Sequence, residues 1–483
     1  MDALPAWPKG KKLVHLDLKG APPRIDYLHK LIGLFSGLGA DGLLVEYEDM
    51  FPYEGELKVL QSTQHPPYSR EEVLSIQEVA KSQGLEVIPL VQTFGHMEFV
   101  LKHKSLWELR EVGHCLGTLN PHKEEGVRLV KEMLRQVVEL HPGSTSLHIG
   151  ADEVYLLGEG EESRRWLSTP GRTVQQLFLS HVTRVAKGVR EAWPNLNMIM
   201  WDDMLRGMDH DTLKGSGLVG LVQLMLWDYN PTLDVKNTVY LLERYSGAGL
   251  SELWAASAFK GSTNVHTCVT STQRHVDNHL QWLQVAAALP EGIHMLGIAL
   301  TGWQRYDHLS VLCELLPLAL PSLASSLQTL THVGCVFNPK SVCLSVPCPS
   351  STTGDSVLFP GRRLAELVVE LTAILQSEEL RHFEDNMFVR GWFTPYHRQR
   401  KTVSPLIAQQ LQSQAMTLLA LVEQRVAMVK KEMVRLYPAS TAQEWVEQHV
   451  SPVVAPLQRI LEDTRASLLE MVPQNVSASM VGQ

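Results

Sequence analysis

The chain has 483 residues, of which 44% are hydrophobic and 20% charged, and a formal net charge of -9. This composition excludes a disordered chain, and the acidic balance excludes a surface built to grip nucleic acid. Six cysteines without a CxxC pair exclude a disulfide framework.

The length exceeds what one ordinary core holds and implies a large domain with a smaller one. The opening stretch MDALPAWPKGKKLVHLDLKG has no apolar run ahead of its lysines, so no secretory signal is expected. No window reaches the length of a membrane span. The richest, SVLCELLPLALPSLASSL, is broken by Glu314, Pro317 and Pro321. A single Asn-x-Ser/Thr acceptor occurs, at Asn475. The expected location is the reducing cytoplasm, with the nucleus as a second compartment.

In chain order, eight aliphatic runs read as strands: LVHLDL from Leu13, GLLVEY from Gly42, EVIPLVQT from Glu86, TSLHIG from Thr145, LNMIMW from Leu196, VGLVQLMLW from Val219, ELWAASAF from Glu252 and MLGIALTGW from Met295. Segments with helical spacing lie between them. SREEVLSIQEVAKSQG opens with a capping-box pattern, Ser69-Arg70-Glu71-Glu72, and stops at Gly84. Continuous apolar strands alternating with helices predict a parallel sheet buried on both faces. Eight such units, with no GxGxxG after the first strand, predict a (β/α)8 TIM barrel over residues 1–315 rather than an open sheet.

Beyond this the pattern changes. Residues 316–361 read as a connector ending in the Ser/Pro/Gly-rich SVCLSVPCPSSTTGDSVLFPG, and 362–483 as a helical C-terminal region. Apolar Leu411, Ala415, Leu418, Val422, Val429, Met433 and Leu436 mark one face of a long helix. A second helix is predicted from Pro456 to Met471. A face of this kind suits packing on the barrel or a homodimer contact.

In a barrel of this class the chemistry gathers at the C-terminal ends of the strands. Here those ends read QTFGHME, HIGADE, MWDDM, LWDYN and TGWQRYDH. They bring acids, tryptophans, a tyrosine and a histidine to one rim. Alternation along strand 4 places His148, Gly150 and Asp152 on one side. Glu153 follows where pairing ends, so both carboxyls can reach one pocket. Crowded carboxylates split their pKa values, leaving one able to donate a proton near neutral pH, and such a pair suits glycosidic bond cleavage. Trp254 and Trp282 read as core. Alternatively the Asp-Glu pair caps a helix beginning at VYLL, and His96 is a buried hydrogen-bonded histidine. A metal-dependent hydrolase would draw on His15, Asp17, His96, His148 and Asp307.

HIGADE resembles the His-x-Gly-x-Asp-Glu signature of family 20 glycoside hydrolases, the exo-β-N-acetylhexosaminidases. The likeness extends through EYEDMFPYEG, VQTFGHMEFVLK, WDDML, LWAASAFKG, LTGWQRYDH and GWFTPYHRQRK. The resemblance implies retaining, substrate-assisted hydrolysis of a terminal β-linked GlcNAc or GalNAc on a glycan, without cofactor or metal. It implies Glu153 as general acid and base, and Asp152 as the group that orients the 2-acetamido N–H. It implies an acetamide cage of Trp201, Trp227 and Trp303, closed by Tyr229, with His96 and His148 in the substrate-binding set.

The chain also departs from the family pattern. The strand 1 arginine is missing, leaving Lys19 or Arg24 as substitutes. Strand 7 ends SAFKGS without the usual tyrosine, and Trp303-Gln304-Arg305 stands where Trp-x-Glu is common. Hydroxyl recognition is therefore open, as is a silent sugar-binding protein with the same pocket.

Overall fold

The structure of the protein, a computed structural model, describes residues 7–8, 10–331 and 359–471. Eight strands follow the chain: β1 Lys11–Asp17, β2 Gly42–Glu46, β3 Glu86–Leu90, β4 Ser146–His148, β5 Asn197–Trp201, β6 Val222–Trp227, β7 Leu253–Lys260 and β8 Met295–Gly302. They pair in parallel, in sequence order, and β1 closes on β8. The predicted barrel is the observed one.

The apolar runs exist because these strands are covered on both faces; β2 and β7 are buried along their whole length. Leu13, Leu44, Ile88, Leu90, Ile199, Met225, Trp254, Ala256 and Ala299 fill the barrel interior. Large side chains sit against small ones. The ring of Trp254 occupies the space over Gly297, where a Cβ would stand 2.5 Å from it. Trp282 is fully buried, its indole N–H donated to the Asp228 carbonyl at 3.0 Å. Trimming a buried Leu or Ile here to Ala would cost about 2–5 kcal/mol, because the packed interior closes only partly over the void.

Helices between the strands follow their local chemistry. Helix Arg70–Ser82 starts with the predicted capping box, Ser69 Oγ accepting from the Glu72 amide at 3.1 Å and the Ser69 amide donating to Glu72 Oε2 at 2.8 Å. Such a cap contributes about 1 kcal/mol. The helix buries Val73, Ile76 and Ala80 and ends before Gly84 at φ 74. Residues 316–331, read as connector from sequence, instead form helix Leu316–Thr331, packed on β7 and on helix Thr272–Ala288. An almost uncharged, Pro-containing segment looked like a linker because it is buried on nearly every side. The remainder of the connector, 332–358, and Asn475 lie outside the described residues.

The chain divides into two compact units after Arg362. In the second, helix Pro405–Leu436 packs along helix Ser451–Met471. Leu411, Ala415, Val422, Val429 and Met433 are buried, as predicted, while Leu418 and Leu436 are only half-buried and Leu419 takes the place of Leu418. The last helix begins at Ser451 rather than Pro456; the proline sits inside it, where it has no N–H to donate to the preceding turn. Among the described residues no helix is long and apolar enough to cross a membrane.

Candidate active site

One cavity of about 250 Å³ opens at the C-terminal ends of the strands, lined by Lys19, Glu46, Glu48, Gln92, His96, Asp152, Glu153, Trp227, Tyr229 and Trp303. β4 delivers the acid pair by breaking, not by continuing. The regular strand ends at His148, and two further bonds tie Ile149 and Gly150 to β5 (Ile149 N–H to the Ile199 carbonyl at 2.8 Å, Trp201 N–H to the Gly150 carbonyl at 3.1 Å). The backbone turns left-handed at Gly150 (φ 64), Ala151 (φ 69) and Glu153 (φ 44). The alternation read through Asp152 therefore ends earlier than expected, and the left-handed turn brings both carboxyls to the same cavity. Gly150 is required here, because a Cβ would collide with Gln92 Oε1. Non-glycine residues in this conformation cost of order 1–3 kcal/mol and persist where surrounding structure enforces them. His96, at φ 50, is a second case. Residues 155–158 form a turn and the next helix begins only at Glu161, so Asp152 and Glu153 cap no helix.

Asp152 is buried and accepts from Gln92 Nε2 at 3.0 Å. Glu153 is partly exposed, and its backbone N–H donates to Asp203 Oδ2 at 2.9 Å. Between the two acids stands His96, its Nε2 at 3.4 Å from Asp152 Oδ2 and 3.1 Å from Glu153 Oε2. Burial opposes a charge on His96, but Asp152, Glu153 and Glu98 outweigh it and raise the imidazole to about 10. Burial pushes Asp152 up, against the opposing pull of His96 and Gln92. Glu153 moves the other way: burial would raise it, but hydrogen bonds from His96 and Tyr155 hold it below its usual range. The acids are split as the sequence suggested, though burial is the main cause and Asp152 is the one raised. Asp203 is pushed up to about 7 by burial and by the nearby Asp152.

The aromatic walls are Trp227, Trp303 and Tyr229. Trp227 stacks on Tyr229 with centroids 5.4 Å apart. It is held from behind by Arg206, 4.7 Å over the ring, and by its own N–H donated to Asp203 Oδ1 at 3.3 Å. Two residues expected against substrate lie deeper. Trp201 and His148 are fully buried and pack on each other at 4.4 Å, below the cavity and outside its lining. As the last residues of β5 and β4 they belong to the barrel layer that supports Trp303, whose ring is 6.0 Å from that of Trp201. Burial holds His148 neutral.

The opposite wall is charged. Lys19 is buried and lines the cavity, whereas Arg24 is exposed ahead of helix Ile25–Gly37 and does not. Lys19 Nζ lies 2.8 Å from Asp17 and 3.4 Å from Glu48. Burial works against this ammonium, yet Asp17, Glu46 and Glu48 hold its pKa well above the ordinary value. Glu48 also pairs with His308 Nδ1 at 2.7 Å. Burial resists its ionisation, but Lys19 and His308 lower it to about 2. Gln304 and Arg305 are buried; the Gln304 backbone N–H donates to Asp17 Oδ2 at 2.7 Å and the Arg305 guanidinium to the Ser310 carbonyl. The metal-type residues do not converge: His15 pairs with Glu46, Asp17 with Lys19, and His148 lies under Trp201. Among the described residues no group of three or more such side chains is placed to hold an ion.

The chain is 47% identical to hexosaminidase D of Homo sapiens over 94% of both chains, and 54% identical to hexosaminidase D of Bos taurus over 68% of this chain and 94% of that one. Residues 46–238 match the model of the glycosyl hydrolase family 20 catalytic domain. The chain belongs to glycosyl hydrolase family 20. Its fold is shared with a β-N-acetylhexosaminidase of Bacteroides fragilis NCTC 9343, at a TM-score of 0.51 and 15% identity over 68% of this chain and 67% of that one. A second crystal structure of a β-N-acetylhexosaminidase aligns at 0.52 and 15% over 70% and 75%.

Within this family 20 site, sequence reasoning gave no role to Gln92, Asp203, Glu48, Tyr155 or Tyr306. Asp203 had a visible signal, the second acid of WDDM. Tyr155 stands two residues from Glu153 in the same turn, and Gln92, Glu48 and Tyr306 become neighbours of the acid pair only through barrel closure and the loops above it.

Proposed function

We infer that the protein is a retaining exo-β-N-acetylhexosaminidase that removes a terminal N-acetylhexosamine from a glycan with the substrate's own acetamide as nucleophile. The observation that carries this is the placement of Asp152 and Glu153 on one cavity, bridged by His96 and faced by Trp227, Tyr229 and Trp303. Drug-sized ligands occupy roughly 300–1,000 Å³. A space of about 250 Å³, closed below by Trp201 and His148, suits one sugar ring at the end of a chain.

The residues divide the reaction. The acetamide oxygen attacks the anomeric carbon as the bond to the leaving oxygen breaks, and that oxygen takes its proton from Glu153. Asp152 accepts the acetamide N–H and faces the positive charge that spreads over the oxazolinium. Trp227, Trp303 and the Tyr229 hydroxyl hold the acetamide in attack geometry. Water then attacks the anomeric carbon as its bond to the acetamide oxygen breaks, giving its proton to the Glu153 carboxylate, and the two displacements together retain the configuration. His96 and Glu153 together hold one proton before substrate enters. Displacing water from the half-buried Glu153 favours its neutral form, which moves that proton from imidazole to carboxyl at the start of the reaction. Lys19 and Glu48 stand where sugar hydroxyls would turn, taking the part of the missing arginine.

The test is hydrolysis of chromogenic β-GlcNAc and β-GalNAc glycosides between about pH 4 and 8, with Glu153→Gln as control. Activity that vanishes in the control supports the reading, and the ratio of the two rates reports the sugar configuration accepted. A folded protein that turns over neither sugar, or a control with full activity, overturns it.

A further inference from the structure

The acid that protonates a glycosidic oxygen stands beside the bond to the leaving group. Whatever is attached to that oxygen must therefore leave the cavity across the solvent side of Glu153. That side is occupied by two tyrosines. Tyr155 lies in the turn two residues beyond the acid, and Tyr306 in the loop after β8, where it lines the cavity. Their hydroxyls meet at 3.3 Å. Both rings remain about half exposed, at 49% and 52%. Across from them Val265, in the loop after β7, lines the same cavity and is likewise exposed.

Large aromatic and apolar side chains left in water around a cavity mouth mark a binding surface. The neighbouring lining residues Gly261, Ser262 and Asn264 carry no charge. Flat rings with hydroxyls at their edge match a pyranose, which has an apolar C–H face and polar edges.

We propose that Tyr155 and Tyr306 form the leaving-group site of this enzyme, binding the next sugar ring of the glycan by its apolar face. This rests on the hexosaminidase reading.

The experiment compares kcat/KM for three substrates carrying the same N-acetylhexosamine: a disaccharide, a glycosyl azide with no ring in its leaving group, and a glycosylated serine peptide. Tyr306→Ala should lower kcat/KM for the disaccharide about five- to tenfold, mostly through KM, which is the scale of one aromatic contact. The azide should change less than about twofold, and inhibition by the free monosaccharide should not move. Tyr306→Leu, which keeps bulk in the loop, should reproduce the pattern if the alanine variant folds poorly. Equal losses on all three substrates, or no loss, would overturn the proposal, as would a loss confined to the peptide. A wild-type protein inactive on all three removes the hexosaminidase reading itself, and the proposal with it.

Discussion

The imidazole of His96 lies 3.1 Å from Glu153 Oε2, so that the acid proposed for the reaction and a strongly basic histidine share one hydrogen bond. His96 is raised to about 10 while Glu153 is lowered, so across neutral pH the proton rests on the histidine and the pair keeps it. The protonation state of the pair, not of the carboxyl alone, sets the alkaline limb of activity. Replacing His96 by Ala removes the reservoir. The limb of kcat/KM should then fall by roughly two pH units or more, toward the ordinary carboxylate range. A pH profile of wild type and variant tests this, and an unmoved limb would remove His96 from proton handling. The same raised pKa makes the His96 contribution to folding fully present below its unfolded value of about 6.5, and lost as pH rises toward about 10.

Glu153→Gln and Asp152→Asn should fail in different ways. The glutamine cannot protonate the leaving oxygen, and general acid catalysis is worth about 10²–10⁴-fold. That loss should shrink when the leaving group is a good one, such as a nitrophenolate. Asp152→Asn orients the acetamide poorly whatever the leaving group, so its loss should be similar for good and poor ones. Steady-state kinetics on a series of aryl glycosides separates the two. Parallel series would contradict the division of labour proposed for the pair.

How much of this was legible in the sequence depends on what each residue needed from its neighbours. The barrel was readable because strands buried on both faces are apolar throughout, as in GLLVE of β2. Asp152, Glu153, Trp227, Tyr229 and Trp303 were readable because a strand end in a barrel points at the cavity. Trp201 and His148 occupy strand ends too, yet they sit one layer deeper. Alternation tells which side a residue faces, and not its depth. The charged wall was hidden for another reason. Lys19 follows β1, Glu48 follows β2 and His308 follows β8, and only closure of β8 onto β1 makes them neighbours. The second acid of WDDM was in plain view but carried no signal that it would bind the Glu153 backbone.

Asp203 is a positioning residue with two duties, holding the Glu153 amide at 2.9 Å and the Trp227 indole at 3.3 Å. Asp203→Asn can accept one of these N–H groups but must present its own NH2 to the other. An unsatisfied buried donor costs about 1–3 kcal/mol. The expected outcome is a fall in kcat of about tenfold or more, together with a higher KM as Trp227 loosens. Because Asp203 is raised to about 7 by burial and Asp152, its ionisation opposes folding. That contribution is absent below the unfolded value of about 3.9 and grows as pH rises toward 7. The variant should therefore lose less stability, relative to wild type, at pH 8 than at pH 5. Thermal melts at the two pH values check the sign.

Lys19 offers the sharpest separation of stability from specificity. Its ammonium lies 2.8 Å from Asp17, 3.4 Å from Glu48 and 3.9 Å from Glu46, all of them buried. Lys19→Met removes the only cation among these four groups and leaves three acids facing each other. Breaking a buried ion pair on one side costs about 3–5 kcal/mol. The raised pKa of Lys19 sets the sign: the stability it supplies is complete below its unfolded value of about 10.4 and is lost as pH rises through the higher folded value. At neutral pH the variant should melt well below wild type. Lower pH should narrow the gap, because protonating Glu46, which burial has already raised, relieves the repulsion. If Lys19 also holds a sugar hydroxyl, KM should rise several-fold more for one of the GlcNAc and GalNAc glycosides than for the other at a pH where the variant is folded. Equal changes in KM for both sugars would leave Lys19 a structural group and place hydroxyl recognition elsewhere on the cavity wall.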